Sequence, residues 1–179
     1  MISSDHLSGV EVLAYGGAVD SVIVFVAKYF LYLSVAIVAI HWLIASKRDK
    51  VDLIAHYLVG GLIALLLAKI GAHFFYDTRP FVSQHIKPLM PHAADNGFPS
   101  DHALLSSFLG FTMLAYSRRL GYGLLLLALL IGAARVAAHI HNPIDIVGSF
   151  VFAALATYLT RVIVGRFLPE RSKRNWRQR

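Results

Sequence analysis

Residues 21–46 read SVIVFVAKYFLYLSVAIVAIHWLIAS, a run in which Lys28 stands alone among Asp, Glu, Lys and Arg. A block this long and apolar matches the roughly 20 residues that cross about 30 Å of hydrocarbon. Four more follow, at Val51–Tyr76, Ser100–Tyr116, Leu120–His139 and Pro143–Phe167. In lipid every backbone N–H and C=O needs a partner inside its own segment, which leaves helix. The chain therefore reads as an all-α, polytopic transmembrane helical bundle of about five spans, one integral membrane domain over residues 1–179. GVEVLAYGG, ahead of the first span, reads as a short interfacial helix or a loop. The overall 57% of hydrophobic residues exceeds the roughly half expected of soluble domains.

Cysteine is absent, which excludes disulfides and thiolate metal sites. Residues 1–20 carry Asp5, Glu11 and Asp20 but neither Lys nor Arg, unlike the basic start of a signal peptide. Basic residues orient the bundle. Lys47, Arg48 and Lys50 lie between spans one and two, Arg118 and Arg119 between three and four. Arg166, Arg171, Lys173, Arg174, Arg177 and Arg179 follow span five. The positive-inside rule puts these ends in the cytoplasm and the N-terminus outside. The basic tail, about 168–179, then reads as a topology determinant in preference to a lipid or nucleic-acid contact. The net charge of +7 largely reflects these residues.

Three polar clusters fall at the outer ends of spans: KIGAHFFYDTRP (69–80), FPSDH (98–102) and ARVAAHIHNPID (134–145). Topology brings them to one layer. Together they offer Lys69, Arg79, Ser100, His102, Arg135, His141 and Asp145. Arg79 and Arg135 carry planar forks suited to phosphate oxygens. Ser100 sits where an N-cap would, ahead of a turn whose free amides attract anions. Asp145 lies one turn after His141, close enough to fix its tautomer and sharpen its far nitrogen. Ionisable residues inside an apolar helix, such as Arg135, are usually functional. Several cations, two imidazoles and a carboxylate suit phosphoryl transfer without a metal, one His attacking phosphorus and the other protonating the leaving oxygen.

These residues resemble the three-part signature of the type 2 phosphatidic acid phosphatase superfamily, KxxxxxxRP, PSGH and SRxxxxxHxxxD. Arg79-Pro80 matches the first, Pro99-Ser100-Asp101-His102 the second, and Arg135, His141 and Asp145 the third with full spacing. The resemblance implies a membrane phosphatase in which His141 is the nucleophile, Asp145 orients it and His102 is the general acid. Lys69, Arg79, Ser100 and Arg135 would hold the phosphate, and no metal or other cofactor would be needed.

Three positions depart from that pattern. Nine residues separate Lys69 from Arg79 instead of six. The shift puts Lys69 about 4.5 Å deeper on its helix and rotated by about 60°. His73 or Tyr76 are its alternates. Ala134 replaces a serine, whose part falls to Thr78 or to no residue. Asp101 replaces glycine beside the anion site, where it favours the helix N-terminus or repels a wrong substrate.

PHAADNGFPSDH further resembles the bacitracin-resistance branch of undecaprenyl pyrophosphate phosphatases. That resemblance implies conversion of undecaprenyl diphosphate, a polyprenyl diphosphate lipid, to the monophosphate in peptidoglycan carrier recycling. It places the enzyme in a bacterial cytoplasmic (inner) membrane with the active site outside, and gives His92 and Asp95 a share in reading the diphosphate. The implied partners are this lipid and the bilayer, with no nucleic acid, and no motif bears on oligomeric state. The rival enzyme reading is a phosphatase of phosphatidylglycerophosphate or phosphatidic acid. A metal hydrolase with zinc on His102, His139, His141 and Asp145, and a transporter or scramblase, are the rivals from other classes.

Overall fold

The computed structural model describes the backbone of residues 5–167 and the side chains of residues 17–166. The basic tail at 168–179 lies outside the described residues. Among the described residues six helices follow in chain order: α1 (Asp5–Ile44), α2 (Lys47–Phe74), α3 (Pro80–Ser83), α4 (Asp101–Met113), α5 (Arg118–Ala137) and α6 (Pro143–Phe167).

Among the described residues four helices are long and apolar enough to cross a bilayer: the 17–44 part of α1, then α2, α5 and the 143–166 part of α6. The third expected span differs. Its helix, α4, has 13 residues, about 20 Å of rise, and falls short of a bilayer's apolar thickness. It does not face lipid on its own. α4 packs against α1, α2, α5 and α6, and buries Ala103, Leu104, Ser106, Ser107, Phe108, Leu109, Gly110, Thr112 and Met113. A helix jacketed by neighbours has no need to match the membrane's thickness. Its three interior hydroxyls return to the carbonyls of the preceding turn or, at Thr112, go unbonded.

The segment 9–17 is not a separate interfacial element or a loop. Its backbone is continuous with span one in the 40-residue α1. Lys28, inside that span, rests its ammonium 5.5 Å from the Tyr29 ring centre. The short α3 was not anticipated. Pro80 opens it, as the fixed φ of proline favours.

Two apolar clusters set the distance between the ends of the bundle. Ala64, Ala68, Leu104, Phe108, Ala153 and Ala156 pack beneath the polar clusters. Val38, Leu53, Leu109, Met113, Tyr116 and Leu124 pack towards the other end. There Tyr116 donates to buried Asp52 at 2.8 Å and lies 3.0 Å from His56 Nδ1, fastening the end of α4 to α2. Near the polar clusters the ring of Phe98 meets Phe75 and Phe152 edge to face, with centres 4.8 and 5.8 Å apart. A side chain at Gly148 would collide with that ring, so glycine lets the loop before α4 lie flat on α6.

Candidate active site

The short connection between α5 and α6 delivers His141. α5 ends in a tight C-terminal turn, with Ile140 N–H donating to the Arg135 carbonyl at 3.3 Å and His139 N–H to that of Val136 at 2.9 Å. His139 takes the left-handed conformation this turn demands, at φ 61°. Its own side chain is exposed, while His141 is buried.

Asp145, fully buried in the first turn of α6, holds His141. Its Oδ2 accepts from the Asn142 N–H at 2.8 Å and lies 3.1 Å from His141 Nδ1. A carboxylate there assigns the ring proton to Nδ1 and leaves the lone pair on Nε2. That Nε2 lies 3.4 Å from Arg79 Nη1 and 3.3 Å from Arg135 Nη2. Both arginines are buried, at 5% and 3% exposure. Burial pushes the His141 imidazole below its usual value, and the two guanidiniums add to this against the opposing pull of Asp145. The ring is therefore neutral at pH 7, with its free nitrogen facing two cations.

Arg79 is held by its own fork. Nε donates to Asp95 at 2.8 Å, Nη1 to the Ile140 carbonyl at 2.8 Å and Nη2 to the Asn96 carbonyl at 3.2 Å. The Arg79 bond holds Asp95 below the ordinary carboxylate range. Arg135 Nη2 also reaches His92 Nε2 at 3.2 Å.

The space above His141 is a cavity of about 390 Å³. It is lined by eight of the ten residues singled out from sequence: Lys69, Arg79, His92, Asp95, Asp101, His102, Arg135 and His141. Asp145 lies behind His141 and not on the surface. Ser100 does not line it either. It occupies the N-cap position of α4, but its hydroxyl makes no capping bond and is buried without a partner. Its backbone is pinned instead to α6. Ser100 N–H donates to the Asp145 carbonyl at 3.4 Å, and Ser149 Oγ donates to the Ser100 carbonyl at 2.9 Å.

Lys69 shares one face of α2 with Leu65, Ala68 and Ala72, and that face is a cavity wall. Its alternates His73 and Tyr76 are exposed and do not line it. Ala134 is buried, and Thr78 uses its carbonyl to accept from Asn142. Among the described residues no three His, Asp or Glu side chains converge as a metal site, so the rival zinc set does not assemble.

Four buried side-chain polar atoms among the described residues lack a partner, and three lie in this centre: Ser100 Oγ, Arg135 Nε and Asp145 Oδ1. Buried polar atoms left unpaired are uncommon. Two of the three are donors, which suits an anion.

Two asparagines do more here than the sequence reading assigned them. Asn96 Nδ2 donates to the carbonyls of Ala72 and Phe75, closing the end of α2, while Oδ1 accepts from the Asp77 and Phe98 amides. Asn142 Nδ2 donates to the Asp77 carboxylate at 2.7 Å and the Thr78 carbonyl at 3.0 Å. The turn dipeptide Asn96-Gly97 and the Asn142-Pro143 helix start were the legible signals.

A membrane bundle that holds a His–Asp pair beneath two arginine forks defines a class, the integral-membrane phosphatases. The PAP2 superfamily profile matches residues 49–169, and the chain belongs to that superfamily. It is similar to undecaprenyl-diphosphatase BcrC of Bacillus subtilis strain 168, 29% identical over 145 residues, covering 81% of this chain and 75% of the relative. It is also similar to a protein named bacitracin transport permease protein BcrC of Bacillus licheniformis, 25% identical over 138 residues, covering 76% and 68%. Among solved structures, Aquifex aeolicus LpxE shares the fold with TM-score 0.63 at 19% identity, over 78% of this chain and 84% of that one.

Proposed function

We propose that this chain removes the terminal phosphate of undecaprenyl diphosphate, releasing undecaprenyl phosphate and inorganic phosphate through a phosphohistidine at His141. One observation carries the mechanism. His141 keeps its Nδ1 on a buried carboxylate while Nε2 lies within 3.4 Å of two buried guanidiniums at the wall of a cavity. The substrate class is supported by the undecaprenyl-diphosphatase relative.

His141 Nε2 attacks the terminal phosphorus, forming a P–N bond as the bridging P–O bond breaks. His102 on the cavity wall takes up a proton from solvent as the negatively charged diphosphate binds, and as an imidazolium gives it to the leaving oxygen on the lipid monophosphate. His102, now a base, takes a proton from water, whose oxygen attacks the phosphohistidine and breaks the P–N bond. Arg79 and Arg135 take the equatorial oxygens, as fixed cations stabilise charge that develops in transfer. Arg135 Nε and Ser100 Oγ find acceptors only when an anion arrives. Lys69 approaches the phosphates from α2, Asp101 repels a wrong substrate, and Asp95 shares in reading the diphosphate through the Arg79 fork it holds.

The chain acts as one domain in a bacterial cytoplasmic membrane. The Lys and Arg bias of its loops puts the active site and N-terminus outside and the C-terminus in the cytoplasm. The test is phosphate release in detergent with EDTA from undecaprenyl diphosphate and, side by side, phosphatidylglycerophosphate. A higher kcat/KM on the diphosphate, insensitive to EDTA and blocked by vanadate, is expected. Preference for the phosphoglycerol lipid would overturn the substrate, and loss of activity in EDTA would overturn the mechanism.

A further inference from the structure

His92 does not belong to the matched motif residues. It stands on the loop between α3 and α4, half-buried, and lines the same cavity. Its Nδ1 lies 3.3 Å from the Ala93 carbonyl, an acceptor, so the proton sits on Nδ1 and Nε2 holds the lone pair. That Nε2 accepts from Arg135 Nη2 at 3.2 Å, and the same Nη2 reaches His141 Nε2 at 3.3 Å. The two imidazole rings stand edge to face with centres 6.0 Å apart. One guanidinium nitrogen thus serves two imidazole lone pairs that converge on one spot.

We propose that His92 is a second phosphate-binding histidine, which meets the anion as an imidazolium and takes up its proton only when the anion arrives. The proposal rests on the phosphate site assigned above. A phosphate seated against Arg135 draws Nη2 away from both rings. His92 Nε2 would then face a phosphate oxygen, lone pair to lone pair, unless it gains a proton and becomes a donor.

The surrounding charges make this a switch. Arg79 from the start of α3 and Arg135 from α5 face His92, with Asp95 of its own loop opposing them. His141 from the α5–α6 turn, and His102 and Asp101 from α4, share the cavity. With the cavity empty, burial and then the Arg79 charge push His92 below its usual value, so it is neutral at pH 7. A bound dianion reverses the field and raises its proton affinity. His92 therefore adds a cation for a fully charged phosphate and withholds it from the empty site.

The experiment is calorimetry of tungstate binding to the detergent-solubilised full chain at pH 7.5, in two buffers of different ionisation enthalpy. Tungstate is a tetrahedral dianion without a proton of its own to exchange at this pH, so any uptake belongs to the protein. The wild type is expected to gain up to about one proton more per bound anion than H92Q or H92N, with weaker anion binding in both variants. Equal proton uptake by wild type and variants overturns the role of His92 and leaves the phosphate site standing. A folded wild type that does not bind tungstate overturns both.

Discussion

The side-chain amide of Asn142 donates to the Asp77 carboxylate at 2.7 Å, across 65 positions of sequence. It joins the turn that carries His141 to the strand-like segment that carries Arg79. Arg79 adds a second tie through the Ile140 carbonyl, and the Phe81 amide a third through the carbonyl of His139. His141, the proposed nucleophile, and Arg79 are thus held as one unit, which is what fixing a near-attack geometry requires.

Asn142→Ala cuts the first tie and leaves Asp77 without this donor. An unmade bond to a charged group costs about 1.5–3 kcal/mol, so kcat/KM is expected to fall roughly tenfold or more. Steady-state rates beside a thermal melt check this, and unchanged kcat/KM would show that the tie is dispensable.

Arg79→Lys keeps the charge but loses the fork that bonds Asp95, Asn96 and Ile140 at once. A lysine cannot replace three directed donors from one plane. A loss of about a hundredfold in kcat/KM is expected, against a small effect if only the charge mattered.

A Cβ at Gly97 would sit 2.9 Å from Asp145 Oδ2 and 3.2 Å from the Asp77 carbonyl. Neither atom is free to retreat, because Oδ2 already holds His141 and the Asn142 amide. Gly97→Ala should therefore cost about 1–3 kcal/mol of overpacking and lower kcat while the helical circular dichroism stays intact. Full activity in Gly97→Ala would mean that Asp145 tolerates displacement.

His139→Gly separates the phosphohistidine account from a zinc site. A left-handed non-glycine residue is strained by roughly 1 kcal/mol, so glycine at φ 61° should raise stability by about that amount and spare activity. Abolished activity would instead make His139 a functional ligand.

Much of the site was legible because its chemistry is written in residue types that apolar helices avoid. Arg79, Arg135, His141 and Asp145 stand out against their neighbours, and their places at the outer ends of successive spans carry them to one layer. The length of α4 was not legible. An apolar run from Ser100 to Tyr116 reads the same whether lipid or four helices surround it. Nor was the silence of the Ser100 hydroxyl, since only tertiary contact with Ser149 and Asp145 sets how that backbone is pinned. The stretch 9–17 reads as a short interfacial helix or a loop because it precedes the apolar run of span one, yet the helix runs through.

The pH profile follows from the lowered value of His141. Attack needs the neutral ring, so the ascending limb of kcat/KM due to this group should lie below the usual histidine value of about 6.5. Stability has the same sign. The unfolded chain binds a proton that folded His141 excludes, so stability is lost as pH falls from about 6.5 towards the lowered value. A wild-type profile whose only ascending limb lies at or above about 6.5 would contradict the assignment.

The most direct test is to trap the covalent intermediate. Undecaprenyl diphosphate labelled with 32P on the terminal phosphate is mixed with enzyme, and turnover is quenched in alkali, where phosphohistidine survives. The account predicts an acid-labile label that mass spectrometry places on His141, absent from His141→Ala, which also loses turnover. Turnover by wild type without any label on His141, or turnover retained by His141→Ala, would contradict it.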